Sequence, residues 1–246
     1  METQTSVLLK KEFWQFIREP SQWIHFGAVS VLTVTFLVSI MRVDLRGTLP
    51  LFQTVSYLVV LVFNAFLIAS IALRFVYPMI SIEGESFWSV LSAPVYREKI
   101  LAVKFGISAL PLAVGGTLLA LFSHYPLREH TLLIVSATIL MLAVTIALVS
   151  LNLAAGAYFA TYKERNPIKV ASSQSATLTF LLCIIYLIFV VSMMFLPLTA
   201  YFSHTMRGTR LEIAEFWVPV TAVAILSIII ASTSLIISRR ALHRDF

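Results

Sequence analysis

Residues Arg74 to Phe105 read RFVYPMISIEGESFWSVLSAPVYREKILAVKF. The stretch lies between two long apolar runs and gathers Glu83, Glu85, Arg97, Glu98, Lys99 and Lys104 in a chain that is only 12% charged. Charge collects where water is, so this is a loop outside a bilayer and the flanking runs are membrane spans. Ser81 is placed to cap a helix whose first turn holds Glu83 and Glu85, where carboxylates suit the helix dipole. Phe87, Trp88, Val90 and Leu91 add an apolar flank, and Pro94 ends the segment. The pattern predicts a short amphipathic helix over 81–93. The plainer alternative is an ordinary solvated loop, with Lys104 snorkelling to headgroups from the start of the next helix.

Working outward, 59% hydrophobic residues and a mean hydropathy of +0.91 exceed the roughly 45–50% apolar share of soluble domains. The 246 residues leave room for about six spans of about 20 residues each. They are expected near Trp23–Met41, Leu51–Leu73, Ile100–Phe122, Thr131–Phe159, Ala176–Leu198 and Phe216–Ile237, giving an all-α membrane protein with one domain over 1–246. The fourth run exceeds bilayer thickness, so its end is expected to project or to unwind around Gly156. The connection Thr199–Glu215 has room for a short surface or re-entrant helix. Gly106, Pro111, Gly115 and Gly116 thin the third span for close packing or for kinking.

Before the first span, Leu9, Phe13, Phe16 and Ile17 share a helical face, with Lys10, Lys11 and Glu12 away from it. This predicts an interfacial helix within 1–22, broken at Arg18-Glu19-Pro20. A solvated basic tail is the alternative. Trp23–Met41 lacks a small-x-small cleavage pattern after it, so the first span is expected to be retained. Thirteen Lys and Arg fall on the side of the termini and of loop 74–99, against five on the other. The positive-inside rule then places both termini and that loop in the cytoplasm.

The net charge of +6 is spread over loops and forms no groove-sized patch, so nucleic acid is not an expected partner. Cys183, alone in an apolar run, has neither a disulfide mate nor metal-ligating neighbours. No Asp, Glu, Lys or Arg sits centrally in a span, which argues against a proton-driven pump, though not against Na⁺ sites built from backbone carbonyls. No G-x-x-x-x-G-K-[ST] loop occurs, so the chain has no ATPase site of its own. His25, His124, His130, His204 and His243 lie near span ends or in loops, as interfacial or solvated groups. No catalytic, cofactor or metal set emerges.

The run Glu83-Gly84-Glu85, then Val90-Leu91, Pro94-Val95 and Lys104 ten residues after that proline, resembles the first cytoplasmic segment of ATP-binding-cassette type-2 permeases. The Arg18-Glu19-Pro20 break resembles the end of their N-terminal connecting helix, and Asn166-Pro167 echoes their second cytoplasmic connection. The resemblance implies the membrane subunit of an exporter, with loop 74–99 containing a coupling helix that docks on a separate cassette ATPase, which binds ATP and Mg. Glu83, Gly84, Glu85, Phe87, Trp88, Leu91, Pro94 and Lys104 are then the ATPase-coupling residues. A second permease subunit, identical or different, and membrane lipids complete the implied partners, in what is expected to be a bacterial cytoplasmic membrane. The second and fifth spans would line the route, making Ser56, Tyr57, Asn64, Thr179 and Tyr186 pathway candidates. Hydrogen bonding between helices explains the same residues. A scaffold or assembly factor using the loop as a binding surface is the competing function, and a passive or Na⁺-coupled carrier the third.

Overall fold

The structure is a computed structural model and describes residues 4–18, 20–43, 45, 47–86, 96–125, 131–164, 166–209 and 213–244. All regular elements among them are helical. They are α1 (Gln4–Ile17), α2 (Pro20–Ile40), α3 (Pro50–Ile71), α4 (Arg97–His124), α5 (Thr131–Tyr158), α6 (Pro167–Ala171), α7 (Gln174–Met206) and α8 (Ile213–Arg244). Pro20, Pro50 and Pro167 each open a helix, where a missing N–H is no loss. Six helices, α2, α3, α4, α5, α7 and α8, are long and apolar enough to cross a membrane. With no water inside a bilayer to satisfy the backbone, helices are the form such apolar runs take. The protein is therefore an integral membrane protein.

The fourth span, α5, is the axis of the bundle. Leu133, Ala137, Leu140, Met141, Ala147, Leu148 and Leu153 are fully enclosed on it, and it packs most extensively against α8 and α4. Its 28 residues make about 42 Å of helix at 1.5 Å per residue, longer than a hydrocarbon core of about 30 Å. It does not unwind at Gly156, which stays helical. At the other extreme, the apolar window of α2 buries none of its residues, and its attachment includes Phe36 stacked on Phe63 with ring centroids 4.1 Å apart.

Four expectations need correction. First, Ser81 does not open an α-helix: Ser81–Ser86 form 3-10 turns broken at Gly84, whose φ of 65° suits glycine. The remainder of the expected coupling helix, with Phe87, Trp88, Leu91 and Pro94, lies outside the described residues. Second, the fifth span does not stop at Leu198. Helix α7 continues to Met206, with Thr199 and Ser203 hydroxyls bonded to the carbonyls four residues back, so no separate helix fills 199–206. Third, of the third-span glycines Gly116 meets a neighbour closely, whereas nothing lies within 4 Å of a side chain added at Gly106 or Gly115. Fourth, His124 is wholly buried, its Nδ1 2.9 Å from the Ala120 carbonyl and its ring 4.8 Å from Tyr57. A carbonyl only accepts, so Nδ1 carries the proton.

Candidate functional site

The segment leaving α3 changes its winding before it reaches the loop. A π-helical turn over Ala72–Val76 passes into a 3-10 turn at Tyr77–Met79 and then into Ser81–Ser86. Tight and loose turns in succession rotate side chains out of the regular α register. The result is a short pedestal under the loop, with Ala72, Val76, Tyr77, Pro78, Ile80 and Ser81 all buried.

Lys104, two turns into α4, supplies the pedestal's electrostatic centre. Its ammonium is 1% exposed and does not snorkel outward; it donates to Glu12 Oε1 at 2.8 Å, Glu83 Oε1 at 2.6 Å and the Met79 carbonyl at 3.1 Å. Three N–H groups meet three acceptors, which is full satisfaction for a lysine. Lys11 adds contacts at 2.5 and 2.6 Å to the two oxygens of Glu83 and lies 3.4 Å from Glu12 Oε1. Two carboxylates and two ammoniums thus form a neutral tetrad, of which Lys11 alone is substantially exposed, at 35%. Burying a charge takes several kcal/mol by a rough estimate, so each member depends on the others remaining in place.

The tetrad reverses one sequence expectation and corrects another. Glu83 turns its carboxylate inward, with 5% of the side chain exposed. Glu12, placed on the solvent side of the N-terminal helix, enters the bundle at 6% exposure, while Leu9, Phe13 and Ile17 remain outside. The reason is Lys104: an ammonium in an apolar helix face demands more negative charge than Glu83 alone supplies once Lys11 is also bound. The sequence offered one clue to Glu12, namely a lysine inside an apolar run with no acid beside it on its own helix face.

Two further contacts brace the same region. Ser81, instead of capping its own helix, accepts the Thr161 N–H at 3.1 Å, and Tyr77 donates its hydroxyl to Ser175 at 2.8 Å. These tie the pedestal to both ends of the connection that contains α6. Gly156 permits the approach, since a Cβ there would stand 2.1 Å from the Tyr77 carbonyl oxygen. On the far side of the loop, Arg97 donates to the Leu242 carbonyl at 2.9 Å and Glu98 pairs with Arg239, anchoring the start of α4 to the end of α8.

The pathway candidates are mostly internal. Tyr57 bonds the Leu133 carbonyl and Ser136, Asn64 donates to Ser123 at 2.7 Å, Thr179 donates to the Ser175 carbonyl, and Tyr186 meets Ser227 at 2.7 Å. All four are buried, whereas Ser56 is half-buried. Among the described residues no group of three or more His, Cys, Asp or Glu is arranged to hold a metal ion.

The arrangement is thus a braced platform at the base of loop 74–99, built among the described residues from packing and ion pairs. Residues 1–245 match a family profile whose description reads "Putative ATP-binding cassette". No curated protein matches the chain. With all but the last residue covered by the family and six apolar helices in the fold, the chain belongs to the ATP-binding-cassette type-2 permease family, as a non-catalytic membrane component of a transporter whose ATPase is a separate subunit.

Proposed function

We propose that the chain is the membrane half of an exporter, in which cassette ATPases dock on the loop between α3 and α4 and drive a substrate outward. The observation that carries this reading is the bracing: one loop is tied at its base to α1, α4, α5 and α7 and at its exit to α8. A surface that is pushed must be stiff behind the point of contact, because compliance would absorb the displacement. Phe87, Trp88 and Leu91 anchor the ATPase, Glu85 offers charge to it, and Pro94 sets the end of the segment. Gly84 provides the turn into it, and Glu83 and Lys104 hold its base. The loop and both termini face the cytoplasm of a bacterial cell, following the Lys and Arg distribution.

Two permease units, alike or different, face each other in this reading. Its support is an outward apolar groove of about 520 Å³ between α3 and α7, lined by residues that include Val59, Val62, Phe63, Phe66, Val191 and Phe195. Ser56 is half-buried on α3, while Tyr57, Asn64, Thr179 and Tyr186 line a route only once α3 and α7 part.

Purification from the native membrane in mild detergent tests the proposal. A co-purifying subunit with a phosphate-binding G-x-x-x-x-G-K-[ST] loop is expected, and Trp88→Ala combined with Glu85→Ala lowers ATPase activity in the complex without impairing insertion. A chain that purifies with no such subunit acts as a scaffold instead.

A further inference from the structure

We infer that His124 is an acid-sensitive latch: while neutral it holds α3, α4 and α5 together at the extracytoplasmic end of the bundle, and proton uptake there releases them. The inference rests on the proposed route, because it concerns how the part bordered by Tyr57 and Asn64 is kept shut.

Three helices meet here through polar groups with no exposed surface. Tyr57 on α3 bonds the Leu133 carbonyl and Ser136 on α5, and Asn64 on α3 donates to Ser123 on α4. His124 follows Ser123, and its ring lies 4.8 Å from that of Tyr57. Tyr57, Asn64, Ser123, His124 and Ser136 are all wholly buried.

The bonding leaves this junction short of donors. Nδ1 of His124 gives its proton to the Ala120 carbonyl at 2.9 Å, so Nε2 presents a bare lone pair, and that atom has no hydrogen-bond partner in the protein. Asn64 spends its amide N–H on Ser123, and its Oδ1 is likewise unpartnered. A proton taken up by the ring therefore arrives at Nε2 and creates an imidazolium. Around the ring stand the side chain and backbone of Tyr57 on α3 and the Ala120 carbonyl and Ser123 hydroxyl on α4, while α5 brings Ser136 and the Leu133 carbonyl to Tyr57. Tyr57 is the titratable neighbour, and among the described residues no charged side chain acts on His124. A buried cation without a counter-charge is strongly unfavourable, so the charged ring demands water. Water reaches it when α3 separates from α4 and α5 at this end. Histidine is the side chain whose ordinary charge change falls in the mildly acidic range.

The test is hydrogen–deuterium exchange on the full chain in lipid nanodiscs at about pH 7.5 and about pH 5.5, with rates corrected for the intrinsic effect of pH. A histidine that titrates near its ordinary value of about 6.5 once hydrated makes opening about tenfold more favourable at the lower pH. Exchange over 120–124 and 133–137 is expected to rise about tenfold, with no comparable change over 149–157 at the other end of α5. His124→Gln keeps a polar side chain without the titration and is expected to abolish the pH difference, whereas His25→Gln and His204→Gln are expected to keep it. Should His124→Gln fail to fold, His124→Phe takes its place, and the location of the response in the unsubstituted chain decides by itself.

Equal exchange at the two pH values, loosening that extends evenly to 149–157, or a full response in His124→Gln or His124→Phe overturns the inference. The measurement needs no ATPase, so each of those results leaves the docking proposal standing. Purification without an ATPase subunit overturns the docking proposal and, with it, the meaning of the latch for a route, while the exchange data still decide whether His124 responds to acid.

Discussion

Replacing Gly156 by alanine probes the pedestal at its closest contact. The new Cβ would stand 2.1 Å from the Tyr77 carbonyl oxygen, 3.0 Å from its carbonyl carbon and 3.2 Å from its Cα. Ordinary contact begins near 3.4 Å, so α5 and the pedestal must separate by about 1 Å, and the obstacle is backbone that no rotamer change removes. Overpacking of this kind destabilises by about 1–3 kcal/mol, toward the upper end for a backbone obstacle. Alanine recovers up to about 1 kcal/mol through its helix propensity. The net loss is then about 1–2 kcal/mol, or a fall in Tm of roughly 2–8 °C for a chain of this length.

The assay is thermal unfolding in one detergent, with Gly115→Ala and Gly106→Ala as controls, since neither meets an atom within 4 Å. Gly116→Ala falls between, because its 2.8 Å contact is the Thr145 hydroxyl, a side chain able to rotate. The expected stability order is Gly115→Ala and Gly106→Ala first, then Gly116→Ala, then Gly156→Ala. A Gly156→Ala protein as stable as the Gly115→Ala one would refute the claim that the pedestal abuts α5 backbone to backbone. In the assembled transporter the same variant is expected to lower ATPase activity in the complex, because the displaced segment is the base of the loop proposed to receive the ATPase.

Three other outcomes follow from the geometry. Lys104→Met leaves two buried carboxylates with Lys11 alone and lowers stability by about 3–5 kcal/mol, as for other broken buried pairs; adding Glu12→Gln recovers part of it, and no recovery in chemical unfolding would mean the tetrad does not act as a unit. Tyr186→Phe removes the 2.7 Å bond to Ser227 between α7 and α8 and costs about 0.6–2 kcal/mol; a change in transport selectivity with unchanged stability would instead assign Tyr186 to the route. Single cysteines at Lys163 and at Gln15, in a background lacking Cys183, are both expected to react with an impermeant maleimide from the cytoplasmic face, and labelling from opposite faces would overturn the assigned orientation.

The membrane class, the six spans and the general permease role were legible in the chain because they rest on local quantities. Hydropathy over about 20 residues decides a span, and the order Glu83-Gly84-Glu85, Pro94, Lys104 is read without knowing what lies near it. Helix ends were less legible. Pro197 suggests a stop by its own chemistry, yet α7 runs on because its neighbours supply the packing that an isolated helix lacks.

What only the tertiary structure decided is where the charges go. Sequence alone set Lys11 and Glu12 toward water, Glu83 toward a partner and Lys104 toward either headgroups or a partner, since each was judged by its neighbours along the chain. Folding brings together residues from three separated elements, and a buried ammonium then selects its acceptors by distance through space. Electrostatic partnership depends on that distance and on the exclusion of water, neither of which a one-dimensional pattern contains.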